Sequence, residues 1–150
     1  VTLKEALATK LRAALATCQV YPNFVAMNKD GTFDHLPAAA YRLVGGKHYA
    51  AGDIGRTGFG QETFLVEVFD EDATCCERLR KDLEDAFPGR TKKNDAEQSA
   101  PVKWGPAADP GPWVYWAEAS DPESDGSVPQ TDAHNTLHFE QLLVTVSFQE

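Results

Sequence analysis

Residues 45–61, GGKHYAAGDIGRTGFGQ, carry glycines at 45, 46, 52, 55, 58 and 60 with Lys47 and Arg56 among them. That composition could cradle a phosphate, because glycine lets the main chain approach an anion closely and the basic side chains neutralise it. A P-loop needs G-x-x-x-x-G-K-[ST] after a strand and opening a helix, so that amides, lysine and a magnesium-binding hydroxyl converge. Gly55 and Gly60 have that separation, but Gln61 and Glu62 stand where Lys and Ser/Thr are required, and the following residues read as strand. A dinucleotide turn fails for the same reason, since no helix N-terminus follows the glycines to meet a pyrophosphate. The stretch therefore reads as a connector or assembly arm between two strands, with no bound nucleotide.

The other reactive residue types are similarly scattered. His134 and His138 are four apart, but in a loop-to-strand region that spacing does not put both on one face, and His35 and His48 bring no H-E-x-x-H or paired C-x-x-C with them. Cys76 falls on the apolar stripe of a helix, where a thiol is usually inert packing. There is no G-x-S-x-G elbow, and the carboxylates cluster in proline- and serine-rich loops, where they are solvated. Trp104, Trp113, Tyr115 and Trp116 could stack on bases, but such platforms work beside basic grooves and only Lys103 is near. Core packing or a protein interface is the simpler reading of these aromatics. No catalytic residue, metal site or cofactor is expected.

What must position these residues is a single domain spanning 1–150, long enough to bury a core without disulfides or a structural metal. No apolar run approaches the roughly 20 residues that span a bilayer, and the first residues lack the succession of a signal peptide. With three cysteines in no tidy framework, a reduced cytoplasmic setting is expected. All 14 Lys and Arg fall in residues 1–103, against 15 of the 23 acids; residues 104–150 hold the other eight acids and no Lys or Arg. The C-terminal third is thus a negative field that repels a polyanion, although plain solubility explains it equally well.

Thr2 and Glu5 form a capping box ahead of a helix whose Leu3, Leu7, Leu11, Ala14, Leu15 and Cys18 share one stripe. A strand is expected from Pro37 to the glycine pair at 45–46, and another over QETFLVEVF, with Phe64, Val66 and Val68 on one side and Leu65, Glu67 and Phe69 on the other. A second helix follows, with Ala73, Cys76, Leu79, Leu83 and Phe87 buried and Pro88-Gly89 as its stop. Residues 90–112 read as an exposed loop with a short strand at 102–104, and 111–149 as a hairpin with a long acidic tip. The expected fold is α+β: an antiparallel sheet of about four main strands with two amphipathic helices on one face, in the order α-β-β-α-β-β.

The capped helix, the "YP" turn, the LPAAAYRLVGG strand, the loop, the VEVFDEDATCCERLRKDLEDAF strand-helix unit and the closing FEQLLVTVSF strand together resemble the tail completion, or tail terminator, proteins of long-tailed bacteriophages. These form the tail-to-head joining group, similar in fold to the terminators of lambda-like phages. The resemblance covers nearly the whole chain in element order and rests on pattern, with no invariant signature. It implies a homo-oligomeric ring, typically of six subunits, that caps the tail tube protein, docks a head-closure or connector protein and lets DNA pass without specific binding. It implies no catalysis, cofactor or membrane, and a place in the virion neck after assembly in the bacterial cytoplasm. The excursion at 27–35, the polar loop at 90–112 and the acidic tip at 120–136 depart from the compact pattern. On this resemblance residues 45–61 become an arm with Lys47, His48, Tyr49, Ile54, Arg56 and Phe59 as assembly contacts, and Asp121, Glu123, Asp125 and Asp132 become an acidic lumen or docking tip. Another head-tail connector, such as a head-closure protein, and a small non-catalytic ligand-binding α+β domain are the alternatives.

Overall fold

The computed structural model describes residues 1–50, 56–89, 101–109, 111–122 and 137–149. Helix α1 (Leu3–Ala14) begins at Thr2, whose hydroxyl accepts from the Glu5 amide while the Glu5 carboxylate accepts from the Thr2 amide. Helix α2 (Ala73–Ala86) begins at Asp72, which accepts from the Thr74 amide. Each cap satisfies amides that have no intrahelical acceptor. Past Phe87, Gly89 takes φ +70 and its amide donates to Ala117 O, so the chain leaving α2 is laid against a neighbouring strand. A Cβ there would lie 3.0 Å from the Trp116 indole nitrogen in a conformation that other residues rarely adopt.

Among the described residues the strands are β1 (Gln19–Pro22), β2 (Ala38–Ala50), β3 (Arg56–Asp70), β4 (Val102–Lys103), β5 (Trp113–Ser120) and β6 (His138–Gln149). They form one sheet in the order β1-β2-β3-β6-β5-β4, with β1 parallel to β2 and every other pair antiparallel, and it curls into a half-barrel. This corrects the expected four-stranded antiparallel sheet and its α-β-β-α-β-β order. Of the two added strands, β4 falls within the short strand read at 102–104 outside the four main ones, whereas β1 has no pattern of its own to reveal it. β1 is four residues long and ends in proline, and β4 is two residues long, so both exist through the neighbours that pair with them. Parallel pairing of β1 with β2 is a long-range choice that local alternation does not encode.

The strands flanking the glycine stretch are also longer than their alternation suggests. β2 continues past Gly45 and Gly46 to Ala50, and β3 starts at Arg56, with Lys47 opposite Gln61 and His48 opposite Gly60. A β-bulge falls at Val44, between the Leu43 and Gly45 pairings. An extra residue there restores pairing beyond the glycines while bending the strand.

The main apolar cluster joins Leu3, Leu7, Leu11 and Leu15 of the first helical segment and Leu79, Leu83 and Phe87 of the second to the inward residues of β2, β3, β5 and β6. Ala73, expected on the buried stripe of α2, is exposed at its first turn. The opposite face of β3 is buried too. Val25, Phe33, Ala38, Ala40 and Phe69 form a second cluster under residues 23–37, with the rings of Phe33 and Phe69 edge to face at 5.1 Å. The excursion at 27–35 is therefore a cover for the sheet, closed by a bridge between Met27 and Phe33.

Candidate assembly surface

Within that second buried layer lies Glu67, 1% exposed. Arg42 Nη1 donates to its Oε1 at 2.5 Å and Gln141 Nε2 to its Oε2 at 2.9 Å, while the Phe24 ring sits 5.3 Å from the Arg42 guanidinium. Both carboxylate oxygens are thus satisfied, as a buried charge requires. Sequence alternation put Glu67 with Leu65 and Phe69 on one side of the strand, and its position between those two large apolar residues is the signal of its burial. Arg42 holds β2 to β3 at the point where β2 leaves the body of the sheet.

Beyond Arg42 the strand changes character. Residues 43–47 are all exposed, with Leu43 at 51% and Val44 at 46%. β1 stops opposite Tyr41, where Pro22 is the last partner and Asn23, at φ 66, turns the chain away while its amide donates to Tyr41 O. Among the described residues no strand pairs with the outer side of β2 past that point. On the inner side β6 ends opposite Phe59, so the first residues of β3 and the last of β2 overhang the sheet.

Of the expected assembly residues, Lys47 and Phe59 lie at the root of this overhang, on the last rungs that β6 flanks. Lys47 is exposed on β2, and Phe59, 39% exposed, stands on β3. The backbones of His48, Tyr49 and Arg56 belong to the paired strands; their side chains, and Ile54 altogether, lie outside the described residues. The glycines at 45, 46, 58 and 60 are strand residues followed by strand, so no helix end is available to a phosphate there.

Sequence reasoning did not connect this arm to the aromatic residues of β5. The Phe59 and Tyr115 rings are 5.7 Å apart, and the Tyr115 hydroxyl donates to Gln149 Oε1 at 3.2 Å. Trp113 is opposite Gln149, itself opposite Phe59, so these residues share the face turned away from the helices. A bulge between the Val114 and Trp116 pairings brings Trp113, Tyr115 and Trp116 to the surface together. A shallow groove of about 230 Å³ continues along this face, lined by Gln61, Trp116, Glu118, Thr145 and Ser147. A larger cleft of about 500 Å³ opens near the start of α1, between Val1, Thr2, Leu3, Glu62, Gly111, Pro112 and Phe148.

Of the acidic group, Asp121 pairs with Arg80, which also holds Glu84 at 3.1 Å and Glu140 at 3.0 Å. The start of the acidic segment is thereby tied to α2. Glu123, Asp125 and Asp132 lie outside the described residues, as does His134. Among the described residues no group of three or more His, Cys, Asp or Glu is arranged to hold a metal ion.

The three thiols are free and held in their protonated form. Burial pushes Cys18 up to about 12 and Cys76 up to about 11, and Cys76 Sγ donates to His138 O at 3.4 Å. A hydrogen bond to Asp70 raises Cys75. Because the thiolate is the nucleophile, Cys18 and Cys76 should alkylate with iodoacetamide at pH 8 at least about tenfold more slowly than a free cysteine. Folded-state values above that of the unfolded chain also mean that their stabilising contribution is intact below pH 9 and is lost as pH rises from there toward 12. Mass-spectrometric alkylation kinetics and melts across pH 8–11 check both; rapid labelling of the folded chain would contradict them.

Compared with protein-family profiles and with curated proteins, the chain matches none.

Proposed function

We propose that this chain is a structural subunit of a bacteriophage neck, closing with copies of itself into a ring that terminates the tail tube and joins it to the head connector. The observation that carries the assembly part is the run of five consecutive exposed residues on β2, Leu43 and Val44 among them, past the end of β1, together with the exposed Phe59 and Tyr115 rings further along the sheet. Exposed apolar and aromatic side chains of this kind are what interfaces are built from. The phage setting rests on the resemblance in sequence pattern. In this role the acidic C-terminal third lines or borders a path for DNA, where like charge keeps a polyanion from sticking. Only Asp121 of the four acids assigned to that tip is described, and it is paired with Arg80.

Sedimentation velocity and negative-stain electron microscopy of the full chain test this reading. Closed rings, with six subunits as the expected number, support it; a protein that stays monomeric at tens of micromolar, alone and with a tail tube protein, refutes it. The 500 Å³ cleft between Thr2, Glu62 and Phe148 favours one second reading, a small ligand-binding domain. Under that reading the protein is monomeric and its melting temperature rises with a metabolite.

A further inference from the structure

The exposed margin of β2 has a more specific use, which rests on the ring reading above. An unpaired strand edge presents a row of amide and carbonyl groups ready to pair with another chain, and proteins usually blunt such edges with charges, prolines or very short strands. β2 runs nine residues past Tyr41, and the first five contain no proline and, among Leu43, Val44, Gly45 and Gly46, no charge. A Cβ built on Gly45 meets nothing within 4 Å. The bulge at Val44 bends the edge, but pairing with β3 resumes on its far side, so the strand remains extended and, among the described residues, its outer edge has no strand partner past Tyr41.

We infer that the outer edge of β2, residues 42–50, is an intersubunit strand-addition site whose occupant is a second copy of this chain, arranged head to tail. Charge selects that occupant and that arrangement. Residues 42–61 carry three Lys or Arg against one acid, whereas residues 104–150 carry eight acids and neither Lys nor Arg. A two-fold pairing of β2 with β2 sets Lys47 and its basic neighbours beside their own copies, with no acid supplied across the contact. A head-to-tail pairing sets the basic arm of one subunit against the acidic third of the next. That heterologous contact, repeated with a constant rotation, closes into a ring. Main-chain pairing supplies the register, Leu43 and Val44 supply apolar burial, and charge supplies the direction.

The test uses the full-length chain and two variants. Leu43→Lys with Val44→Lys places charges on the open edge, and Lys47→Glu reverses an exposed charge without touching the core. The expected result is that the double variant raises the subunit dissociation constant at least about a hundredfold and Lys47→Glu about tenfold, each tenfold being 1.4 kcal/mol. Unchanged far-UV circular dichroism would establish that both remain folded. Raising sodium chloride from 0.05 to 0.5 M should weaken wild-type rings and leave Lys47→Glu less affected, because screening removes what that variant has already lost. Rings that persist at wild-type strength in either folded variant overturn the edge assignment and leave the ring reading standing. A two-fold dimer overturns the head-to-tail arrangement. A wild-type monomer overturns the ring reading itself and, with it, this contact. Should the double variant fail to fold, Lys47→Glu and the salt series decide.

Discussion

Arg42→Met lowers the folding stability of this protein by about 3–5 kcal/mol, the range for removing one partner of a buried ion pair. Glu67 is almost wholly enclosed, and its two oxygens are held by Arg42 and Gln141 from the strands on either side. Loss of the guanidinium leaves a carboxylate among Leu65, Phe69 and the cover formed by residues 23–37, where desolvation is no longer offset. For a domain of this size each kcal/mol moves the melting temperature by about 2–4 °C, so a fall near 10 °C is expected in a calorimetric or circular dichroism melt. Adding Glu67→Gln to the Arg42→Met chain should recover most of the loss, since the amide can still accept from Gln141 but carries no charge. Thermal melts of the two singles and the double give the coupling directly. Additive losses would show that the pair contributes nothing beyond its separate contacts.

The second large effect concerns assembly. Replacing residues 49–59 by Asn-Gly joins His48 to Gly60, which are already register partners, through the two-residue turn that suits antiparallel strands. The shortened chain keeps every β2–β3 pairing from Ala38–Phe69 to His48–Gly60 and loses the Ala50–Arg56 and Phe59–Gln149 pairings. Its melting temperature should stay within a few degrees of wild type, because Phe59, the removed residue whose side chain is described, belongs to neither buried cluster. Rings should disappear, with the subunits at least about a hundredfold weaker in association by sedimentation velocity. Rings at normal yield would mean that the arm is a decoration and that the body of the sheet makes the contact. Together with the charge and edge variants, this separates folding from assembly, since Arg42 acts on the first and residues beyond it on the second.

The helices were readable because their causes are local. Thr2 and Glu5 lie three apart and satisfy each other's amides, and Leu3, Leu7 and Leu11 recur at the helical period whatever surrounds them. The body strands declared themselves by alternation, as in Phe64, Val66 and Val68, all fully buried. The same alternation put Leu65, Glu67 and Phe69 together on the other side of β3, but that this side is buried too, under residues 23–37 and Arg42, followed only from the tertiary structure. The assembly surface was half legible. Glycines with Lys47 and Phe59 marked an arm, but the exposed Leu43 and Val44 and the company of Tyr115 depended on where neighbouring strands stop.

By itself, then, the sequence determined two capped helices, their buried stripes, the central strands and the concentration of acid in the last third, since each follows from neighbours within a few positions along the chain. Tertiary structure alone decided that residues 19–22 are a strand, that β1 lies parallel to β2, that the short strand at 102–103 joins the same sheet, that Glu67 is buried, and that β2 outruns its partner. Those outcomes turn on which distant segments share a hydrogen-bond ladder, and the ladder's register is set by main-chain groups that are the same in every residue but proline.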